Sequence, residues 1–136
     1  MVRTSNHAIL FDSGPDYHGL SDAGRSIVVP YLRGEGIGYL DLLVVSHDDL
    51  DHSGGAGSVV AAVGVGEIVS SVTANLDTSD KAKGDTDTAG GKRVDTGTRG
   101  WNPVSRCRAG QQWNFNGVQF EMLHPEDESY ARANVV

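Results

Sequence analysis

The stretch Leu40-Asp-Leu-Leu-Val-Val-Ser46 runs without a break into His47-Asp-Asp-Leu-Asp-His-Ser-Gly-Gly55, and its two halves differ sharply in chemistry. Apolar residues fill the second half of the first segment. That is the pattern of a strand covered on both faces, as in a parallel sheet, rather than the alternation of an edge strand. The next six residues, 47 to 52, hold two imidazoles and three carboxylates. In a loop after a strand, side chains spaced by two converge on one point while their neighbours face another. On that spacing His47 with Asp49, and Asp51 with His52, can serve two adjacent divalent ions about 3.5–4 Å apart, which activate water and steady both oxygens of a phosphoryl displacement. A solvated acidic loop with incidental histidines is the bland alternative. The buried strand before the motif and the Gly54-Gly55 pair after it weigh against that.

Upstream, His7-Ala-Ile-Leu-Phe-Asp12 is an apolar run that ends in a carboxylate and Ser13-Gly14-Pro15. It reads as a strand feeding a turn, with Asp12 at the strand's C-terminal end. Ser21-Asp22 marks a helix start, and Ile27, Val28, Tyr31 and Leu32 recur as one helical face. Pro30 either kinks this helix or moves its start to about Pro30, and Gly34, Gly36 and Gly38 end it. Downstream, residues 57–63 predict a short helix and 67–72 another strand. Strand–helix–strand alternation argues for an α/β layered architecture.

From Thr73 to Gly100 the apolar residues larger than Ala are Leu76 and Val94 alone. So little apolar surface predicts a long mobile loop. Order is expected again by Gln111, where Trp113 and Phe115, then Asn116-Gly117, then Val118, Phe120 and Met122 spell a β-hairpin with an Asn-Gly turn. No internal repeat is present.

The chain has 136 residues, enough for one small domain with one core. Eleven Lys and Arg against eighteen Asp and Glu leave a net charge of −7, which excludes a basic surface that grips nucleic acid through phosphate contacts alone. A polyanionic partner would need help, for example from bound metal. The single cysteine, Cys107, excludes an intrachain disulfide and a cysteine-built zinc site, and is expected to pack near the hairpin as a small apolar residue. No apolar run approaches the ~18 residues of a spanning helix, and residues 1–7 lack the apolar core of a signal peptide. The expectation is a soluble chain.

Ser46-His-Asp-Asp-Leu-Asp-His-Ser-Gly-Gly55 resembles the HxHxDH metal motif of the metallo-β-lactamase superfamily, with Asp49 at the second His position. That replacement, together with Phe11-Asp-Ser-Gly-Pro15, Cys107-Arg-Ala-Gly-Gln-Gln-Trp113 and Leu123-His-Pro125, is similar to the β-lactamase-like domain of the ComEC family of DNA-uptake channel proteins. The resemblance covers most of residues 7–125 outside 73–100. It implies an αββα sandwich, here a partial domain over 1–136 carrying mainly the N-terminal half and beginning after the usual first strand. His47, Asp49, Asp51 and His52 are then expected as metal ligands, Asp51 also as a proton acceptor in catalysis, and Asp12 as a support for the ligands. His124, at a strand end, and His18, in the Asp16-Tyr-His-Gly19 loop, are further candidates, each weighed against a purely structural role. The superfamily's bridging aspartate and later histidine lie in Thr-Gly-Asp and His-His-Gly segments in ComEC-like domains, and neither segment occurs in this sequence; Gly84-Asp85 lies in the polar stretch with no apolar strand before it.

A carboxylate is harder than an imidazole, so this set predicts two divalent ions, with Mn²⁺ favoured over Zn²⁺ or Mg²⁺. The resemblance implies a soluble module of an inner-membrane protein, facing the periplasm or cell exterior, that degrades the non-imported strand of incoming DNA during natural transformation. Single-stranded DNA is the expected substrate, the parent chain is membrane-embedded, and the short chain alone is expected to be inactive and prone to self-association. Two other readings compete: a superfamily hydrolase acting on a thioester or lactam, and an inactive structural or DNA-guiding domain. Asp49 favours the nuclease over the former, and the incomplete ligand set sustains the latter.

Overall fold

The computed structural model describes residues 1–47, 49–71 and 104–125. The loop expected at 73–100 lies outside the described residues. Five strands, β1 (Val2–Arg3), β2 (Ala8–Phe11), β3 (Tyr39–Val45), β4 (Gly64–Ser70) and β5 (Val104–Arg106), form one sheet in the order β1-β2-β3-β4-β5. β1 runs antiparallel to β2, and the other pairs are parallel. The strand expected from the apolar run at 40–46 is the central one. Leu43 pairs with Leu10 on one side and Ile68 on the other, and residues 42–45 are all buried.

Alternation along the strands sends two sets of side chains to opposite faces. Ala8, Leu10, Leu43, Val45 and Ile68 meet Val29, Leu32, Ala56 and Val59 on one face. Val29 and Leu32 belong to α1 (Val29–Gly34), in the β2–β3 connection, and Ala56 and Val59 to α3 (Ala56–Ala62), in the β3–β4 connection. Both crossovers therefore lie on the same side, as consecutive steps across a parallel sheet with one crossover hand require.

The helix before β3 starts where the sequence indicated: the Asp22 carboxylate accepts the Arg25 N–H at 2.7 Å. Its buried face differs from the expected one. A π-helical turn, Gly24–Val28, precedes α1, with Pro30 in the first α-helical turn. Proline has no N–H to donate and its ring crowds the carbonyl four residues back, so the wider turn accommodates it. The added residue rotates the apolar stripe. Leu32 is buried as expected and Val28 packs on the core, but Val29 joins them, whereas Ile27 and Tyr31 face solvent. At the other end the Gly36 N–H bonds to the Arg33 carbonyl and the Ile37 N–H to that of Leu32, at 3.1 and 2.7 Å, a Schellman closure that seats Ile37 in the same core as Leu32.

The second face of the sheet is covered by the hairpin of β6 (Gln112–Phe115) and β7 (Val118–Glu121), in which Trp113 pairs with Phe120. Asn116 and Gly117, at φ 55° and 83°, supply the two positive φ angles of a two-residue type I′ turn. Trp113, Phe115, Phe120 and Met122 pack on Ile9, Leu42, Val44, Val69 and Cys107, while Val118 points to solvent. The Trp113 Nε1–H donates to Glu67 of β4 at 2.9 Å. Burial among these apolar groups raises the Cys107 thiol pKa to about 11, so it stays protonated and packs as a small apolar side chain. The layers run helices, sheet, hairpin, the order expected for the N-terminal part of an αββα sandwich.

Candidate metal centre

The site lies where β2 and β3 end side by side. Phe11 pairs with Val44, and the Asp12 N–H extends the ladder by one bond, 2.8 Å to the Val44 carbonyl. Asp12 then takes φ 55°, a left-handed conformation that Asp tolerates better than most residues, and the chain turns away. Its carboxylate stays behind as a clamp. Oδ1 accepts the Ser46 N–H at 2.8 Å; Oδ2 accepts the Ser46 Oγ–H and faces His52 Nδ1, each at 2.9 Å.

The loop after Asp12 is zipped to the motif by backbone bonds. The Ser13 N–H and hydroxyl both donate to the His52 carbonyl, Asp16 N–H to the Leu50 carbonyl, and Gly55 N–H to the Gly14 carbonyl. Such close approach explains the paired glycines. A Cβ on Gly54 would collide with backbone atoms of Leu50 and Asp16, and one on Gly55 with those of Ser13 and Gly24.

The motif is not a loop throughout, as the sequence reading had it. Asp49, at φ −58° and ψ 135°, stands at the N-cap of a single helical turn, α2 (Leu50–Ser53), so Asp51 and His52 are carried on helix. Aspartate is among the preferred N-cap residues, although here the Asp49 side chain does not cap: Oδ2 lies 3.4 Å from His47 Nε2. Asp51 Oδ2 lies 3.4 Å from His52 Nε2. The two imidazole rings are 3.9 Å apart between centroids. One donor atom from each of His47, Asp51 and His52 falls within 4.8 Å of the others. Asp49 stands beside this trio through its contact with His47. The Asp49 and Asp51 side chains are 72% and 70% exposed, open to an ion and to a substrate.

Neither of the two further histidine candidates joins this cluster among the described residues. His18 sits on an exposed turn at φ 57°. His124 follows the hairpin, where Met122 and Pro125 carbonyls are tied to Gly110 and Ala109. His7, immediately before β2, contacts Asn116 at 2.8 Å. The sequence reading missed two serines that touch the site residues, Ser13 and Ser46. Their only sequence signal is position, one after Asp12 and one before His47.

The Asp12 hydrogen bond raises the pKa of His52 above 6.5, assisted by the negative charges of Asp51 and Asp49 and opposed by desolvation. With the folded value above the unfolded one, the pair's contribution to metal-free stability is full below pH 6.5 and is lost as pH rises through the folded value. Ion binding has the opposite trend, because an ion must displace the His52 proton. Melting temperatures of metal-free protein measured from about pH 5 to 8 should therefore fall more steeply with pH than those of His52→Gln, while Mn²⁺ affinity rises. Equal slopes for the two proteins would show that the Asp12–His52 pair has no part in the pH dependence.

Two imidazoles and two carboxylates at one strand end suit a divalent ion of intermediate hardness. The family described as the metallo-beta-lactamase superfamily matches residues 1–126. The chain belongs to the metallo-β-lactamase superfamily. Superfamily membership implies divalent metal binding and accounts for the layering and for the acidic and imidazole groups after β3. The chain is 30% identical over 127 residues, 93% of its length, to recombination protein 2 of Haemophilus influenzae. It is 32% identical over 127 residues to competence protein ComA of Neisseria gonorrhoeae. It spans 13% and 14% of the lengths of these relatives. The ComEC-type resemblance read from the motif is thus borne out. No solved structure matches the chain.

Proposed function

We propose that the chain is part of a metal-dependent phosphodiesterase domain that cuts single-stranded DNA during its uptake. The observation that carries this reading is the pairing of a carboxylate with each imidazole, Asp49 with His47 and Asp51 with His52, each at 3.4 Å. An Asp at the second position of the motif makes the set harder than an all-imidazole one and favours Mn²⁺ over Zn²⁺; its two donor pairs suit two ions. Ions bound there supply Lewis acidity toward a phosphoryl oxygen and a water nucleophile at neutral pH. His47 and His52 contribute nitrogen donors, Asp49 and Asp51 oxygen donors, and Asp51 also accepts a proton from the attacking water. A net charge of −7 repels a polyanion, so phosphate approach depends on those cations.

Among the described residues no helix is long and apolar enough to cross a membrane. The names of the two relatives, a recombination protein and a competence protein, support placing the domain in a DNA-uptake protein whose membrane-embedded parts lie elsewhere in sequence. In that setting it faces the periplasm or cell exterior, where DNA arrives. The four donors of residues 47–52 fall short of two full coordination shells, which also supports the competing reading of a DNA-guiding domain without catalysis.

The test compares Mn²⁺-dependent cleavage of single-stranded DNA by this chain and by an extended chain that carries Thr-Gly-Asp and His-His-Gly segments of the kind found in ComEC-like domains. Each is run beside Asp51→Ala. We expect turnover from the extended chain, its loss in the variant, and none from the short chain. An extended chain that binds DNA but never cuts it would establish the guiding role instead.

A further inference from the structure

We infer that Ser46 is a positioning residue whose hydroxyl fixes the tautomer of His47, so that one carboxylate, Asp12, orients both imidazoles of the site. Ser46 is the last residue before the motif, and its Oγ lies 2.9 Å from Asp12 Oδ2 and 2.8 Å from His47 Nδ1. A hydroxyl has one proton to give. An ionised carboxylate only accepts, so that proton points to Asp12. Ser46 Oγ can then only accept from the ring, and His47 must carry its proton on Nδ1. The opposite arrangement, with the hydroxyl proton on His47, would set the lone pairs of Ser46 Oγ against those of Asp12 Oδ2.

His52 reaches the same state directly, with Nδ1 donating to Asp12 Oδ2 at 2.9 Å. In both rings the free lone pair is therefore on Nε2, the atom that faces a carboxylate, Asp49 for His47 and Asp51 for His52. Histidines that bind metals through one nitrogen generally donate the other N–H to an oxygen that holds the ring in place. Here a single anion serves two rings, one of them through a serine. The Ser46 N–H, bonded to Asp12 Oδ1 at 2.8 Å, keeps the hydroxyl in register with the carboxylate. The metal-facing part of this inference rests on the metal reading given above; the tautomer assignment does not.

Long-range proton–nitrogen NMR correlation on metal-free protein, above the histidine titration range, reads the two tautomers separately. Wild type should show His47 and His52 both protonated at Nδ1. Ser46→Ala should release His47 toward the Nε2–H form while His52 stays unchanged, which also serves as the check that the fold is intact. Ser46→Thr, which keeps the hydroxyl, should restore the wild-type pattern. Mn²⁺ affinity should fall about 10–100-fold in Ser46→Ala and recover in Ser46→Thr. A His47 ring protonated at Nε2 in wild type, or unaltered in Ser46→Ala, overturns the inference. The expected tautomer shift, in a protein that binds no Mn²⁺ in any form, upholds the role of Ser46 and removes the metal reading.

Discussion

Asp12→Asn should lower Mn²⁺ affinity by about 10–100-fold while leaving the sheet in place. Asparagine is the substitution to use because it keeps the shape and, like Asp, accepts the positive φ of this position. What it removes is the charge and one acceptor. The Asp12 carboxylate receives three donors, the Ser46 N–H, the Ser46 hydroxyl and His52 Nδ1. An amide can satisfy the first through its oxygen, but its NH₂ group then confronts the other two. His52 loses the partner that raises its pKa, and Ser46 loses the acceptor that orders its hydroxyl. Each donor left without a partner is a loss wherever water cannot replace the acceptor. The steeper fall in stability with pH, set by the Asp12–His52 pair, should disappear in the same variant. Calorimetric titration with Mn²⁺ and melting curves across pH measure both effects. Unchanged affinity would mean that Asp12 only seals the strand end.

Gly55→Ala should cost about 3 kcal/mol of stability, at the upper end of what overpacking usually costs. The new methyl group would meet the Ser13 carbonyl and the Gly24 backbone, neither of which can swing aside as a flexible side chain would. Moving them would also pull on the Ser13–His52 bonds that hold the loop to the motif. Gly57→Ala is the matched control. Its Cβ would meet nothing within 4 Å, and it lies in α3, where Ala is favoured over Gly by about 1 kcal/mol. Chemical denaturation of the two variants should thus give opposite signs. A Gly55→Ala protein as stable as wild type would show that the two loops have room to part.

Much of the fold could be read locally. The run at 40–46 announced a buried central strand because its burial is two-sided, and Asn116-Gly117 announced the hairpin because that turn demands two positive φ angles. Other features depend on partners distant in sequence. β5 is three residues, Val104–Arg106, and is a strand only through its pairing with Ile68–Ser70. β1 is two residues held by β2. The helix stripe keeps Leu32 and Val28 but has Val29 in place of Ile27 and Tyr31, because Pro30 is accommodated by a π turn, an event that a fixed 3.6-residue period does not anticipate. At the site, the residue types at 47–52 spoke for metal ligation, but the spacing-by-two argument assumed an extended loop where Asp51 and His52 ride on a helical turn. Ser46 was silent because a serine after a strand carries no chemistry until its neighbours in space are known.

Asp12 follows the first strand of one strand–helix–strand crossover and the trio His47, Asp51 and His52 follows its second, the most distant pair 40 positions apart. Parallel pairing is slow to form, since the intervening chain must be closed into a loop before any contact rewards it. Leu10 and Leu43 meet only after such a closure. A divalent ion held at the far end of β3, with His52 bound back to the end of β2, would pin the two strand ends and offset part of that closure entropy. During synthesis these residues leave the ribosome before β4, β5 and the hairpin exist. Metal captured by the nascent crossover would then act on the rate of folding as well as on the finished site, giving refolding that accelerates with Mn²⁺ concentration.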